Sequence, residues 1–347
     1  MNLGHELLVE RVEEAERLLI REFFEEPSPR KRWSPEKHYW TTGVGSSEAH
    51  ARFLAYLIRS AGGSAGFLSF AELISGPPAR GGDVYFLLFS QGLSSNATLV
   101  LNAIDRPGQT TLFTAESVRG LMESGKEGRA RRLAAWIEKG MLVEAFPIAK
   151  EYTVLLRVIG PLCGYGTALR WLFPPAHSLL PCFPSRKEME TAFAKIQHFS
   201  IREEFSLWVD EWIAGADCLV LDSLIDYPQN LAYKRMEGIF RDATVFRDAF
   251  QFAHGPFQIA LGSRKAQWVL GKQGDGRAEL AERIQALCTE NGIICRQFEP
   301  VLHEPYAIFE YEALFNRLLI QALERVKPDQ IDWPGKGRDG LLYDWES

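Results

Sequence analysis

Val84-Tyr85-Phe86-Leu87-Leu88-Phe89-Ser90-Gln91-Gly92-Leu93-Ser94-Ser95-Asn96-Ala97-Thr98 is the stretch whose reading decides the fold. Its uncharged apolar and aromatic start reads as a strand buried on both faces. Hydroxyl and amide side chains follow at once and lead into a helical pattern at 95–105. Polar groups at that density are costly to bury without partners. A second junction, Gly43-Val44-Gly45-Ser46-Ser47, repeats the arrangement between a strand near 38–43 and a helix at 47–61. Hydroxyls and free amides at two helix N-termini can hold an anion without a cluster of basic residues.

Working outward, the pattern alternates strand and helix. Strands are expected near 65–69, 83–89, 110–114 and 141–146, with helices near 115–138 and 150–172. A second alternation runs through strands near 218–222, 244–246, 268–270 and 293–296, with helices at 186–213, 228–240, 276–291 and 306–325. Short apolar strands between helices predict parallel sheets covered on both faces, with ligands at the carboxyl ends of the strands. Ahead of them Leu8, Val12, Ala15, Leu19 and Phe23 keep helical spacing and predict an amphipathic helix at 3–24. The division expected is a helix and linker at 1–37, α/β units at 38–184 and 185–328, and a tail at 329–347. The Pro-rich segment Phe173 to Pro184 is taken as the joint.

The 347 residues suit two domains of about 150 residues each. A net charge of −6, with both signs interspersed, argues against a nucleic-acid-binding surface. Five cysteines without CxxC spacing, mostly in apolar runs, predict reduced core thiols and a cytoplasmic location. The apolar stretch from Thr153 to Phe183 is broken by Arg157, Arg170 and prolines, so no membrane span is expected. Seven histidines never fall in HxH or HExxH spacing, and no metal site is expected. Neither a phosphate-binding Gly-x-x-x-x-Gly-Lys loop nor a Gly-x-Ser-x-Gly elbow is present, which disfavours ATP hydrolysis and serine hydrolysis.

Taken together, the junctions resemble those of the sugar isomerase (SIS) family. There a Gly-x-Gly-Thr/Ser-Ser turn closes the first strand and a Ser-x-Ser-Gly-x-Thr loop closes a later one, both gripping a sugar phosphate. Ser47 matches the serine of the turn. Ser90, Gln91 and Ser95 match the first, second and last positions of the loop, while Gly92-Leu93-Ser94 replaces its Ser-Gly-x. Downstream, His254-Gly255-Pro256 resembles a His-Gly-Pro whose histidine opens the sugar ring, a task that suits imidazole near neutral pH. Lys234 and Glu237 match a lysine and glutamate at i, i+3, the glutamate moving a proton between C1 and C2. Read without the family, the same pair is a surface ion pair on one helix face. Ile331-Asp332-Trp333-Pro334 is similar to the start of the family's closing loop, whose lysine would be Lys336; in an ungapped count that position is Asp339.

The resemblance implies an α/β fold of tandem SIS domains, each a parallel sheet between helices in three flavodoxin-like layers. It implies a phosphorylated sugar or amino sugar as ligand, gripped by Ser46, Ser47, Ser90, Gln91, Ser94, Ser95 and Thr98. His254, Glu237 and either Lys234 or Lys336 would carry out isomerisation, deamination or deglycation without a cofactor. A homodimer with its active site near the interface is implied as well. Because the chain opens on a plain helix, neither an ammonia-generating synthase nor a transcriptional regulator is expected. The competing class is a binding module that senses a sugar phosphate without catalysis, which the altered loop would favour.

Overall fold

The computed structural model describes residues 3–24, 33–76, 83–145, 153–172, 183–272 and 276–338. These residues form two compact units, each built on one sheet. The first sheet contains β1 (His38–Gly43), β2 (Ser64–Phe67), β3 (Val84–Phe89), β4 (Thr110–Thr114) and β5 (Leu142–Ala145), in the order β2-β1-β3-β4-β5. All its neighbours are parallel, with Thr42 opposite Leu88 and Phe89 opposite Phe113. Helices α2 (Ser46–Ser60), α3 (Phe70–Ser75), α4 (Ser95–Ile104), α5 (Val118–Glu123), α6 (Glu127–Glu138) and α7 (Ile159–Leu172) belong to this unit.

Phe86, Leu87, Leu88 and Phe89 are at most 1% exposed. At about 1.5–3 kcal/mol for each buried side chain, they fix β3 in the middle of its sheet. Leu88 joins Val100, Leu112, Leu121 and Leu133 in a core shared by strands and helices. The short helix α3 was not expected from the sequence; Ser69 and Glu72 close it with a reciprocal capping box.

The second sheet contains β6 (Asp217–Val220), β7 (Phe246–Asp248), β8 (Gln267–Leu270) and β9 (Cys295–Phe298), again all parallel, in the order β7-β6-β8-β9. Its unit includes α1 (Leu3–Phe24), α8 (Arg186–Ser200), α9 (Glu203–Ala214), α10 (Gln229–Ile239), α11 (Pro256–Ser263), α12 (Arg277–Glu290) and α13 (Ala307–Val326). The predicted stripe of α1 is buried at Leu8, Val12, Ala15 and Leu19, and Phe23 stacks on Phe183.

Three elements depart from the expected boundaries for local reasons. β7 starts at Phe246 rather than 244 because the Thr244 amide donates to Ala232 and its hydroxyl accepts from Trp212 Nε1 at 3.0 Å. β9 starts at Cys295 rather than 293 because the Ile293 amide closes the end of α12 on the Cys288 carbonyl. Helix α7 starts at Ile159 rather than 150: the amides of Leu155 and Leu156 donate to the main chain and side chain of Gln330 instead of continuing a helix.

In both sheets the first strand of the set lies between the second and the third, so the order reverses there. Such a reversal opens a crevice at the carboxyl ends, the usual place for a ligand in an open α/β sheet. Among the described residues no helix is long and apolar enough to cross a membrane. Cys163, Cys218 and Cys288 are buried free thiols, and Cys295 is a half-buried one. Cys182, the joint as far as position 182, and Asp339 lie outside the described residues.

Candidate functional site

The crevice of the first sheet lies between the loops after β1 and β3. A Cβ on Gly43 would lie 2.4 Å from the Ser47 carbonyl oxygen, so only glycine lets the strand end this close to α2. Gly45 follows at φ +62°, the left-handed region that favours glycine, and caps α2 without a side chain. Ser46 and Ser47 make no side-chain hydrogen bond among the described residues, although Ser47 is only 6% exposed. The hydroxyl of Thr42, at the end of β1, is fully buried and without a partner.

On the β3 side the hydroxyls are partly committed. Ser90 Oγ accepts from the Ser94 amide at 3.3 Å, and Ser94 Oγ caps α4 by accepting from the Ala97 amide at 3.3 Å. In both cases the serine uses a lone pair and keeps its O–H to donate. Thr98 differs, because its hydroxyl donates back to the Ser94 carbonyl at 3.3 Å. Arg129, carried by α6, donates Nη2 to Ser95 Oγ at 3.1 Å. Leu93 stands where the resemblance places a glycine, and it holds φ +43° while fully buried. The left-handed backbone costs a leucine about 1–2 kcal/mol, and burial of its side chain offsets this by about 1.5–3 kcal/mol. The replacement therefore keeps a glycine-like backbone in the loop.

Two glycines one turn apart on α7 make room for polar side chains of this unit. A Cβ on Gly160 would lie 2.1 Å from Gln91 Nε2, and one on Gly164 would lie 2.3 Å from the His50 ring. His50 Nε2 donates to the Pro161 carbonyl at 2.7 Å, which sets its tautomer. Gln91 anchors its loop through its own carbonyl, which accepts from the Thr114 hydroxyl at 3.0 Å and the Ala115 amide at 3.1 Å.

The corresponding crevice of the second sheet is satisfied by its own side chains. Asp222, just past β6, accepts from the Tyr311 hydroxyl at 2.7 Å and the Leu224 amide at 2.9 Å. Burial pushes its carboxyl up to about 6, against those two hydrogen bonds. The Ser223 amide and Arg277 both bind the Glu304 carboxylate, which takes the place an external anion would occupy.

Lys234 and Glu237, one turn apart on α10, have different environments. The Lys234 ammonium is buried against Glu312 of α13 at 2.9 Å, with Asn230 donating to the same carboxylate. The expected surface ion pair with Glu237 is therefore not made. Glu237 is half-buried and makes no side-chain hydrogen bond or ion pair among the described residues. Burial raises its pKa above the usual carboxylate value, partly countered by the charges of Arg157 and Lys234. His254 is exposed in the turn ahead of α11, where Gly255 takes φ +119° and Pro256 starts the helix. Lys336 is exposed and lies over the Trp333 ring, 4.8 Å from its centre.

No family model matches the sequence, and no curated protein matches it. Solved structures do. The C-terminal domain of glucosamine-fructose-6-phosphate aminotransferase from Francisella tularensis aligns at TM-score 0.64 and 9% identity, over 96% of this chain and 98% of that one. A candidate phosphosugar isomerase from Silicibacter pomeroyi aligns at 0.63 and 14% identity, over 95% and 96%. Glucosamine-6-phosphate deaminase from Thermotoga maritima aligns at 0.60 and 14%, over 92% and 94%. The fold is SIS-like. At these identities the likeness speaks for the fold alone.

Within the SIS-like fold, the described geometry adds two residues that sequence reasoning missed, Arg129 and Glu312. Arg129 sits in a run of basic residues that reads as a solvated helix face. Glu312 did carry a signal, since a carboxylate inside an apolar helix needs a partner. The Gly160 notch yields a prediction of its own. Gly160→Ala drives a methyl into the buried Gln91 amide, whose flexible end can swing away. Melting of the free protein should change little, whereas affinity for a phosphate ester, measured by calorimetry, should drop several-fold.

Proposed function

We propose that this chain binds a phosphorylated sugar or amino sugar and moves a proton between C1 and C2 of its open form, as an isomerase, deaminase or deglycase. The observation that carries the reading is the first crevice, where the O–H groups of Ser46, Ser47, Ser90 and Ser95 remain available to an anion at two helix N-termini. The second crevice, filled by Glu304, offers no such vacancy. In this reading Ser94 and Thr98 shape the loop, Gln91 holds its floor, and Ser47, Ser90 and Ser95 donate to phosphate.

Glu237 is the proton carrier, because a raised, unpaired carboxylate suits a general base near neutral pH. His254 opens the ring. Lys336, rather than Lys234, serves the open chain, since Lys234 is engaged with Glu312. The α-hydrogen of an open-chain sugar is already activated by its carbonyl, so a side-chain base suffices. The names of the Thermotoga and Francisella neighbours fit the same substrate class. A homodimer, a cytoplasmic location and the tandem division of the chain belong to the proposal.

The test is a thermal-shift screen with phosphorylated hexoses and amino sugars, in which a bound ligand raises Tm with concentration. Ser95→Ala should weaken the best ligand by about 10- to 100-fold, the worth of one hydrogen bond to a charged group. An unchanged affinity would remove the hydroxyl loop from the phosphate site. Binding without proton exchange at C2 would make the chain a sensor.

A further inference from the structure

We infer that Arg129 gives the first crevice its preference for a doubly charged phosphate ester over neutral or singly charged sugars; this rests on the phosphate reading above and names the charge state it selects. Arg129 is half-buried on α6 and donates from one of its five N–H groups to Ser95 Oγ at 3.1 Å. Among the described residues no carboxylate pairs with it. The arginines around it behave differently. Arg131 pairs with Glu127 at 2.9 Å, and Arg119 with Glu123 at 2.7 Å, each one turn away on the same helix.

Ser95 is the first residue of α4, so Arg129 brings a positive charge to a helix end that already carries positive partial charge. Cation and dipole oppose one another there until an anion lies between them. Nearby, Ser47 is 6% exposed and Thr42 fully buried, and neither hydroxyl has a partner among the described residues. Donors thus gather around a place with no acceptor. A guanidinium can hold two phosphate oxygens at once while the serine hydroxyls take the remainder. Such an arrangement discriminates by charge, because the second ionisation of a phosphate ester, near pH 6, doubles the attraction.

The experiment compares the full-length protein with R129Q and R129K, using glucosamine 6-phosphate, inorganic phosphate and glucosamine as probes in calorimetry from pH 5 to 8. For the unsubstituted protein, both phosphate probes should bind more tightly as pH rises through about 6, and glucosamine should bind weakly throughout. R129Q should lose roughly 10- to 100-fold for both phosphates and flatten the pH dependence. R129K, which keeps the charge, should retain most of the affinity. A role confined to bracing Ser95 would lower the free protein's Tm and leave the slope with pH intact. R129Q with unaltered affinity and slope overturns the inference while the phosphate reading stands, as does R129K that loses as much as R129Q. If the unsubstituted protein binds neither phosphate probe, the phosphate reading falls and the inference with it.

Discussion

Glu237→Gln should abolish C2 proton exchange, by about 10²- to 10⁴-fold, while binding of the sugar phosphate is kept. Glutamine is nearly isosteric and leaves the backbone of α10 unchanged, including the Glu237 and Gly238 carbonyls that accept from Gln330 Nε2 at 2.9 and 2.7 Å. It removes only the ability to take a proton. The measurement is deuterium incorporation at C2 in deuterated water, followed by NMR, beside a thermal shift with the same ligand. Full exchange in the variant would sink the assignment of the base.

The pH profile follows from the same shift. Burial raises the Glu237 pKa, so its carboxylate form, the active one, is lost as pH falls through a value above the ordinary carboxylate range. Activity should therefore fall on the acid side earlier than it would for an exposed glutamate. Asp222, pushed up to about 6, titrates in the same region and could produce a similar limb. Asp222→Asn separates the two. The acid limb persists in that variant if Glu237 is its source and disappears if Asp222 is.

The sheets were legible in the sequence because strands buried on both faces must be apolar throughout, and each was followed by a helical repeat. Their edges were less so. Thr244 and Ile293 look like strand residues, yet their amides bond to α10 and α12, and local sequence does not reveal those tertiary partners. The hydroxyl loops were legible for a chemical reason, since serine and threonine cannot crowd the end of a buried strand without partners. Leu93 points the other way: by sequence it breaks the expected loop, and by backbone it keeps the left-handed turn. Arg129 resembles Arg131 in every sequence property. What distinguishes it is the missing carboxylate and the presence of Ser95, and both are facts of packing.

Lys234→Met should destabilise the second unit by about 3–5 kcal/mol, since it leaves the Glu312 carboxylate buried with only Asn230 as a partner. Against a total stability of about 5–15 kcal/mol that is a large fraction, and Tm should fall on the order of 10 °C. Glu312→Gln strands the Lys234 ammonium instead and should cost a similar amount. Combining the two removes both charges and retains a carbonyl acceptor for Asn230, so K234M/E312Q should recover most of the loss. Calorimetric melting of the four proteins gives the coupling directly. The same set separates a structural lysine from a catalytic one. If Lys234 only neutralises Glu312, the double variant regains proton exchange along with stability. If Lys234 also acts on substrate, the double variant is stable but inactive. The 2.9 Å pair, with both side chains at most 1% exposed, favours the first outcome: an ammonium held there cannot reach a ligand without abandoning a charge that has no other cation beside it among the described ion pairs.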